Sequence, residues 1–155
     1  CIAISLLKNL PEAECVACDI SSDALEVARL NAEKHGVLDR IKFLESDLLD
    51  GVDGDFDFIC ANLPYIGIEE NNFVEKNVEK YEPEKALFGG DDGLKLYKKM
   101  FQQLKAGKVL CKLVIGEFGF GQVEDLKVIL SKNFDQQWEV KNDLQGIPRV
   151  FIVNM

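Results

Sequence analysis

The sequence holds little of what several common protein classes need. Histidine occurs once, at His35. Cysteine occurs five times, at Cys1, Cys15, Cys18, Cys60 and Cys111. An odd count scattered through apolar runs reads as buried free thiols in a reducing compartment, not as a disulfide framework. Cys15 and Cys18 form one C-x-x-C, but no second such pair and no His pair completes a tetrahedral zinc site. They also fall in a predicted strand, where residues three apart point to opposite faces. His35, beside Gly36 at a predicted helix end, reads as a favourable C-terminal charge or a surface residue. No apolar run approaches the ~20 residues that span a bilayer. The opening "CIAISLLK" is too short for a signal peptide and lacks its charged flank and cleavage site, so a cytoplasmic location is the default expectation. Basic residues are outnumbered, 18 Lys and Arg against 27 Asp and Glu, for a formal net charge of -9. That balance argues against direct nucleic-acid binding through phosphates.

What is present is an alternation of strand and helix. The 155 residues suit one domain with a single core. The predicted strands cover 13–20, 40–47, 56–62, 108–117, 138–143 and 149–155. The predicted helices cover 1–10, 21–36, 92–107 and 121–132. Ser21 or Ser22 caps the second helix, Ala24, Leu25, Ala28 and Ala32 line one of its faces, and Gly36 stops it. Leu94, Tyr97, Phe101 and Leu104 share a face of the third. Residues 66–90 read as irregular, broken by Asn71-Asn72, Pro83 and Gly89-Gly90. The expected fold class is α/β, a doubly wound and mostly parallel sheet with antiparallel C-terminal edge strands.

In such sheets ligands bind beyond the carboxyl ends of the strands. The residues there are Asp19, Asp47, "NLPY" at Asn62 to Tyr65, and Glu117. An acid at the Asp19 position suits ribose hydroxyls, and Asp47 can accept from an exocyclic adenine amine. The bland reading of each is a helix cap or a turn. A glycine-rich loop belongs ~20 residues before Asp19, and counting back runs past Cys1. The expectation is therefore a chain that starts just downstream of that loop, incomplete at the N-terminus of one catalytic domain spanning 1–155.

With these residues in place, the chain resembles class I S-adenosylmethionine-dependent methyltransferases. "NLPY" looks like the Asn/Asp-Pro-Pro-Tyr motif of enzymes that methylate planar nitrogens. Three further segments are similar to the HemK/PrmC family: "YEPEKALFGGDDGLKLYKKM" at 81–100, "GEFGFGQ" at 116–122 and "DLQGIPRVFIV" at 143–153. The resemblance implies a Rossmann-like fold and S-adenosyl-L-methionine as cofactor. It implies methylation of the glutamine N5 in the Gly-Gly-Gln motif of peptide-chain release factors, which would be the protein partner. Carried over residue by residue, it makes Asn62, Pro64 and Tyr65 catalytic. Asn62, Leu63, Pro64 and Tyr65 hold substrate, and Asp19, Ile20, Asp47, Leu48 and Asn62 hold cofactor. The family's N-terminal helical domain, first strand and glycine loop are not in this sequence, and Leu63 stands where the family has Pro. "NLPY" as written is also what ribosomal RNA adenine dimethylases show.

The chemistry asks for these residue types. A carboxamide nitrogen is a poor nucleophile, whereas a sulfonium is already a good methyl donor. Catalysis then consists of holding the nitrogen ~3 Å from the methyl in a site that excludes water. The Asn62 carbonyl and a backbone carbonyl just after it can orient an NH₂ group and stabilise the positive charge that grows on it. Tyr65 can stack on a planar amide or base, and Pro64 stiffens the turn. Leu63 keeps its carbonyl, so the expected cost of that departure is modest. Two alternatives stay open: an adenine-N6 methyltransferase acting on RNA or DNA, and a non-catalytic fragment whose sheet edges, lacking a central first strand, invite association.

Overall fold

The structure, a computed structural model, describes residues 1–67, 90–135 and 137–155. The breakers Asn71-Asn72, Pro83 and Gly89, and the first nine residues of the 81–100 segment, lie outside them. The chain divides into two units, Cys1–Val52 and Asp53–Met155.

In the first unit, helix α1 (Ile2–Asn9) ends before Pro11, which cannot continue it. Strand β1 (Cys15–Asp19) leads to helix α2 (Ser22–Lys34), and a short 3-10 turn leads to strand β2 (Ile41–Glu45). The two strands pair in parallel from Cys15 with Ile41 to Asp19 with Glu45. Ser21 caps α2 as expected, its Oγ accepting the Ala24 N–H at 3.2 Å. Gly36 takes the left-handed conformation just past the helix, φ +67°. Leu7, Ala32, Val37 and Ile41 form the buried core. Of the face assigned to α2, Ala32 is buried and Leu25 and Ala28 are half-buried, but Ala24, in the first turn, is exposed. Arg40 closes the end of α1. Its guanidinium donates to the carbonyls of Leu7 (2.9 Å), Leu10 (3.0 Å) and Pro11 (2.9 Å), acceptors that no intrahelical N–H can reach.

In the second unit, strand β3 (Gly54–Ala61) pairs in parallel with β4 (Val109–Glu117). Strand β6 (Pro148–Asn154) runs antiparallel on the other side of β4, and β5 (Trp138–Asn142) pairs antiparallel with β6 at the edge. The order is β3-β4-β6-β5. The antiparallel pairing of the last two strands matches expectation. Their order follows from patterning: the apolar "VFIV" of β6 fills the interior position, and the alternating "WEVKN" of β5 takes the edge.

Helix α3 (Lys95–Lys105) begins three residues later than predicted, because Asp92 and Gly93 form a turn in which Asp92 Oδ1 accepts the Leu94 N–H at 3.0 Å. Leu94, Tyr97, Phe101 and Leu104 are all buried, and Met100 joins them. Tyr97 and Phe101 meet Phe151 edge-on, with ring centroids 5.0 and 5.9 Å away. Each such ring contributes ~1.5–3 kcal/mol by leaving water. Gly116 makes that approach possible, since a Cβ there would lie 2.3 Å from the Phe151 ring. Helix α4 (Val123–Asn133) buries Leu126, Ile129 and Leu130.

Candidate functional site

In the first unit the residues of interest stand at the carboxyl ends of β1 and β2. Asp19, the last residue of β1, is exposed, and its Oδ1 accepts the Ser21 N–H at 2.9 Å. The turn role foreseen for it is therefore real and occupies one carboxylate oxygen. Ile20 follows with 59% of its surface exposed, a large apolar side chain beside an acid. The Ser46 N–H donates to the Asp19 carbonyl at 2.9 Å, which ties the end of β1 to the end of β2. Asp47 and Leu48 are half-buried in the loop that follows.

Leu48 has φ +59°, and among the described residues no other non-glycine has a positive φ. A branched side chain in that region costs ~1 kcal/mol or more, which the surroundings must hold in place. Buried Ser46 does so, with its hydroxyl 3.0 Å from the Leu48 carbonyl and 2.5 Å from that of Asp50. The strain and its fastening were not foreseen. A lone serine after a strand carries no signal that its hydroxyl will turn back on its own loop.

In the second unit the turn Asn62 to Tyr65 leaves β3 at its carboxyl end. Asn62 is exposed, and its side chain makes no hydrogen bond among the described residues. Leu63, Pro64 and Tyr65 are half-buried. Tyr65 is anchored from several directions. Its hydroxyl donates to Glu117 Oε1 at 3.2 Å, and the Arg149 guanidinium lies 6.0 Å from its ring centroid. The Tyr65 carbonyl accepts from Gln122 Nε2 at 2.6 Å. The strand before it is anchored too. The Tyr97 hydroxyl lies 3.1 Å from the Ala61 carbonyl and 2.5 Å from that of Glu117, and so joins the ends of β3 and β4. Burial pushes the Tyr97 phenol far above its usual range, with backbone hydrogen bonds at Leu63 and Glu117 working the other way. It is a neutral hydroxyl at any physiological pH.

The segments picked out in the sequence meet at this turn. Asp92 and Gly93 come from "GGDDG", and Glu117, Gly119 and Gln122 come from "GEFGFGQ". Asp143 and Arg149 come from "DLQGIPR". Asp143 shapes the β5–β6 turn by accepting the N–H groups of Gln145 and Ile147 on Oδ1, at 2.8 and 3.0 Å. Arg149 pairs through its backbone with Phe118, the Phe118 N–H donating at 2.9 Å. Glu117, placed by the sequence at the end of a strand, is the acceptor for Tyr65. Tyr97 was read only as part of an apolar helix face, and the use of its hydroxyl was missed. Gln122 lies within a quoted segment, but nothing in the sequence says where its amide points.

Chemically, the exposed Asn62 carboxamide can take and orient a planar NH₂ group. The carbonyls of Leu63 and Pro64, which accept no hydrogen bond among the described residues, can share that task. The Ala61 and Tyr65 carbonyls are already committed.

A family profile described as "Methyltransferase small domain" matches residues 1–81. The chain is similar to a bifunctional methyltransferase of Rickettsia felis, 40% identical over 153 residues, which are 98% of this chain and 29% of that protein. It is similar to a release factor glutamine methyltransferase of Dictyoglomus turgidum, 46% identical over 107 residues, 67% of this chain and 38% of that protein. The chain thus spans well under half the length of these relatives. The fold matches that of M. capricolum TrmK solved with S-adenosyl-homocysteine, with a TM-score of 0.59 at 17% identity over 99% of this chain and 56% of that one.

Proposed function

Because this chain belongs to the methyltransferase small-domain family, we propose that it is the catalytic part of an S-adenosylmethionine-dependent methyltransferase whose acceptor is the glutamine side-chain amide of a release factor's Gly-Gly-Gln motif. The observation that carries the reading is the exposed Asn62 carboxamide on a turn fastened on either side of it, at Ala61 and at Tyr65. An amide acceptor needs an oxygen that is positioned and unspent. The similarity to a protein named as a release factor glutamine methyltransferase supports the substrate class. A net charge of -9 suits a protein substrate better than a phosphate backbone. Among the described residues no helix is long and apolar enough to cross a membrane, and a reaction on translation factors belongs in the cytoplasm.

S-adenosylmethionine supplies a methyl group activated on a sulfonium. The strand ends of the first unit fit its adenosyl part. Asp19 has a second carboxylate oxygen for ribose hydroxyls, Ile20 is an exposed apolar surface for a base, and Asp47 and Leu48 form a loop of fixed shape. In the second unit Asn62 Oδ1 and the Leu63 carbonyl accept from the substrate NH₂. That fixes the orientation of the nitrogen and holds it for attack. The same two dipoles would stabilise the charge that develops on nitrogen as its bond to the methyl forms and the donor's S–C bond breaks, with S-adenosylhomocysteine as leaving group and the surplus proton passing to solvent.

The test is transfer of a labelled methyl group by the full polypeptide to a release factor and, separately, to an adenine-containing RNA. Label in the protein, abolished by Gln→Ala in its Gly-Gly-Gln motif, is the expected result. Label in the RNA alone would replace this reading with the adenine one.

A further inference from the structure

Gln122 occupies the N-cap position of α4, yet its side chain makes no cap hydrogen bond. Ser, Asp or Asn at such a position commonly adds ~1 kcal/mol of helix stability. The buried Gln122 amide reaches away from its own helix instead. Its Nε2 donates to the Tyr65 carbonyl at 2.6 Å and to the Asp92 carbonyl at 3.0 Å, while its Oε1 accepts the Gly119 N–H at 2.7 Å. Both donor hydrogens and the acceptor are thus spent on three separate loops, with partners as far as 57 residues away in sequence. The surroundings leave that carbonyl little freedom. A Cβ on Gly93 would stand 2.1 Å from the Tyr65 oxygen and 2.2 Å from Gln122 Nε2.

From this geometry we infer that Gln122 is a positioning residue for the reaction, fixing the Asn62–Tyr65 turn through the Tyr65 carbonyl. The inference rests on the reading of that turn as the acceptor site. Gln122 touches neither substrate nor donor in this account. It sets the orientation from which Asn62 and Leu63 present their oxygens, and it takes the Tyr65 carbonyl out of competition for the substrate NH₂. Without the clamp the turn stays attached at Ala61 and at the Tyr65 hydroxyl, but its carbonyls can rotate. An error of about 1 Å in such a site costs on the order of 10²-fold in rate.

Two variants in the full polypeptide separate positioning from plain support of the helix. Gln122→Ser supplies a better N-cap but cannot reach Tyr65. Gln122→Glu keeps the reach and the contact with Gly119 but loses the donors. If Gln122 positions the turn, both variants lower kcat by about 10²-fold and leave S-adenosylhomocysteine affinity within about threefold, because the residues proposed for the adenosyl part, Asp19, Ile20, Asp47 and Leu48, belong to other loops. Backbone amide exchange over residues 63–67 rises about tenfold or more, while exchange in β3 and β4 is unchanged. A folded Gln122→Ser protein with kcat within threefold of wild type and unaltered exchange at the turn would overturn the inference. So would a loss in Gln122→Ser that Gln122→Glu escapes, since that pattern belongs to the Gly119 contact alone. Should Gln122→Ser fail to fold, Gln122→Glu decides by the same readouts. Should the wild-type protein methylate neither Gly-Gly-Gln nor adenine, the function fails on its own, and the exchange arm still decides whether Gln122 holds the turn.

Discussion

The two units secure their strand ends by opposite means. In Cys1–Val52 the side-chain fastenings at the strand ends are local: Asp19 takes a hydrogen bond from two residues on, and Ser46 bonds to carbonyls two and four residues on. In Asp53–Met155 they are remote. Gln122 reaches back 57 residues to Tyr65, Glu117 takes the Tyr65 hydroxyl across 52, and Tyr97 holds Ala61 across 36. Locally tied loops suit a ligand of constant shape, as the adenosyl part of a methyl donor is. A turn tied to three other segments suits an acceptor whose nitrogen must be aimed. The contrast predicts a division of labour, in which damage to the first unit weakens donor binding and damage to the second slows transfer.

The largest effect that sharpens the contrast is expected from Asn62→Ala. Transfer should fall by on the order of 10²–10³-fold, with S-adenosylhomocysteine affinity by calorimetry within a few-fold of wild type. A parallel collapse of donor affinity would break the division. Next is Gly116→Ala, which places a methyl 2.3 Å from the Phe151 ring that packs against Tyr97. Overpacking of that kind costs ~1–3 kcal/mol. Thermal unfolding should drop by several degrees, and rate should be lost together with stability.

Asp19→Ala should raise the donor's Kd by roughly tenfold, ~1.4 kcal/mol, with kcat at saturating donor little changed. A kcat effect without a Kd effect would move Asp19 out of the donor role. The smallest effect concerns Asp92. Burial raises its carboxyl, but hydrogen bonding from Lys98 and from the Leu94 N–H outweighs burial and leaves the group below the usual carboxylate range. A carboxyl with a lowered folded pKa stabilises above its unfolded value, near ~4, and the gain is lost as pH falls through the folded value. Asp92→Asn should therefore lower stability by ~0.5 kcal/mol at neutral pH. In acid denaturation the two proteins should converge at low pH.

The same contrast explains what could be read in advance. The strands and helices were legible because each is a local pattern: the alternation in β5, the apolar stripe Leu94–Tyr97–Phe101–Leu104, the Ser21 cap and the Gly36 stop. Asp19 and Asp47 could be placed because strand ends are visible in the sequence. The turn at 62–65 was legible as a turn of unusual composition. Its supports were not, because a buried amide at Gln122 or a phenol at Tyr97 has no partner until the chain is folded. The positive φ at Leu48 was equally hidden, since glycine or asparagine ordinarily announces that conformation and leucine does not.

The central claim is that the acceptor atom is a side-chain amide nitrogen. Tandem mass spectrometry of a Gly-Gly-Gln peptide after incubation with the full polypeptide and S-adenosylmethionine tests it most directly. The account predicts a single methyl group on the glutamine side-chain nitrogen, lost when Asn62 is replaced by Ala. A methyl group on any other atom, or one that persists in the Asn62 variant, would contradict it.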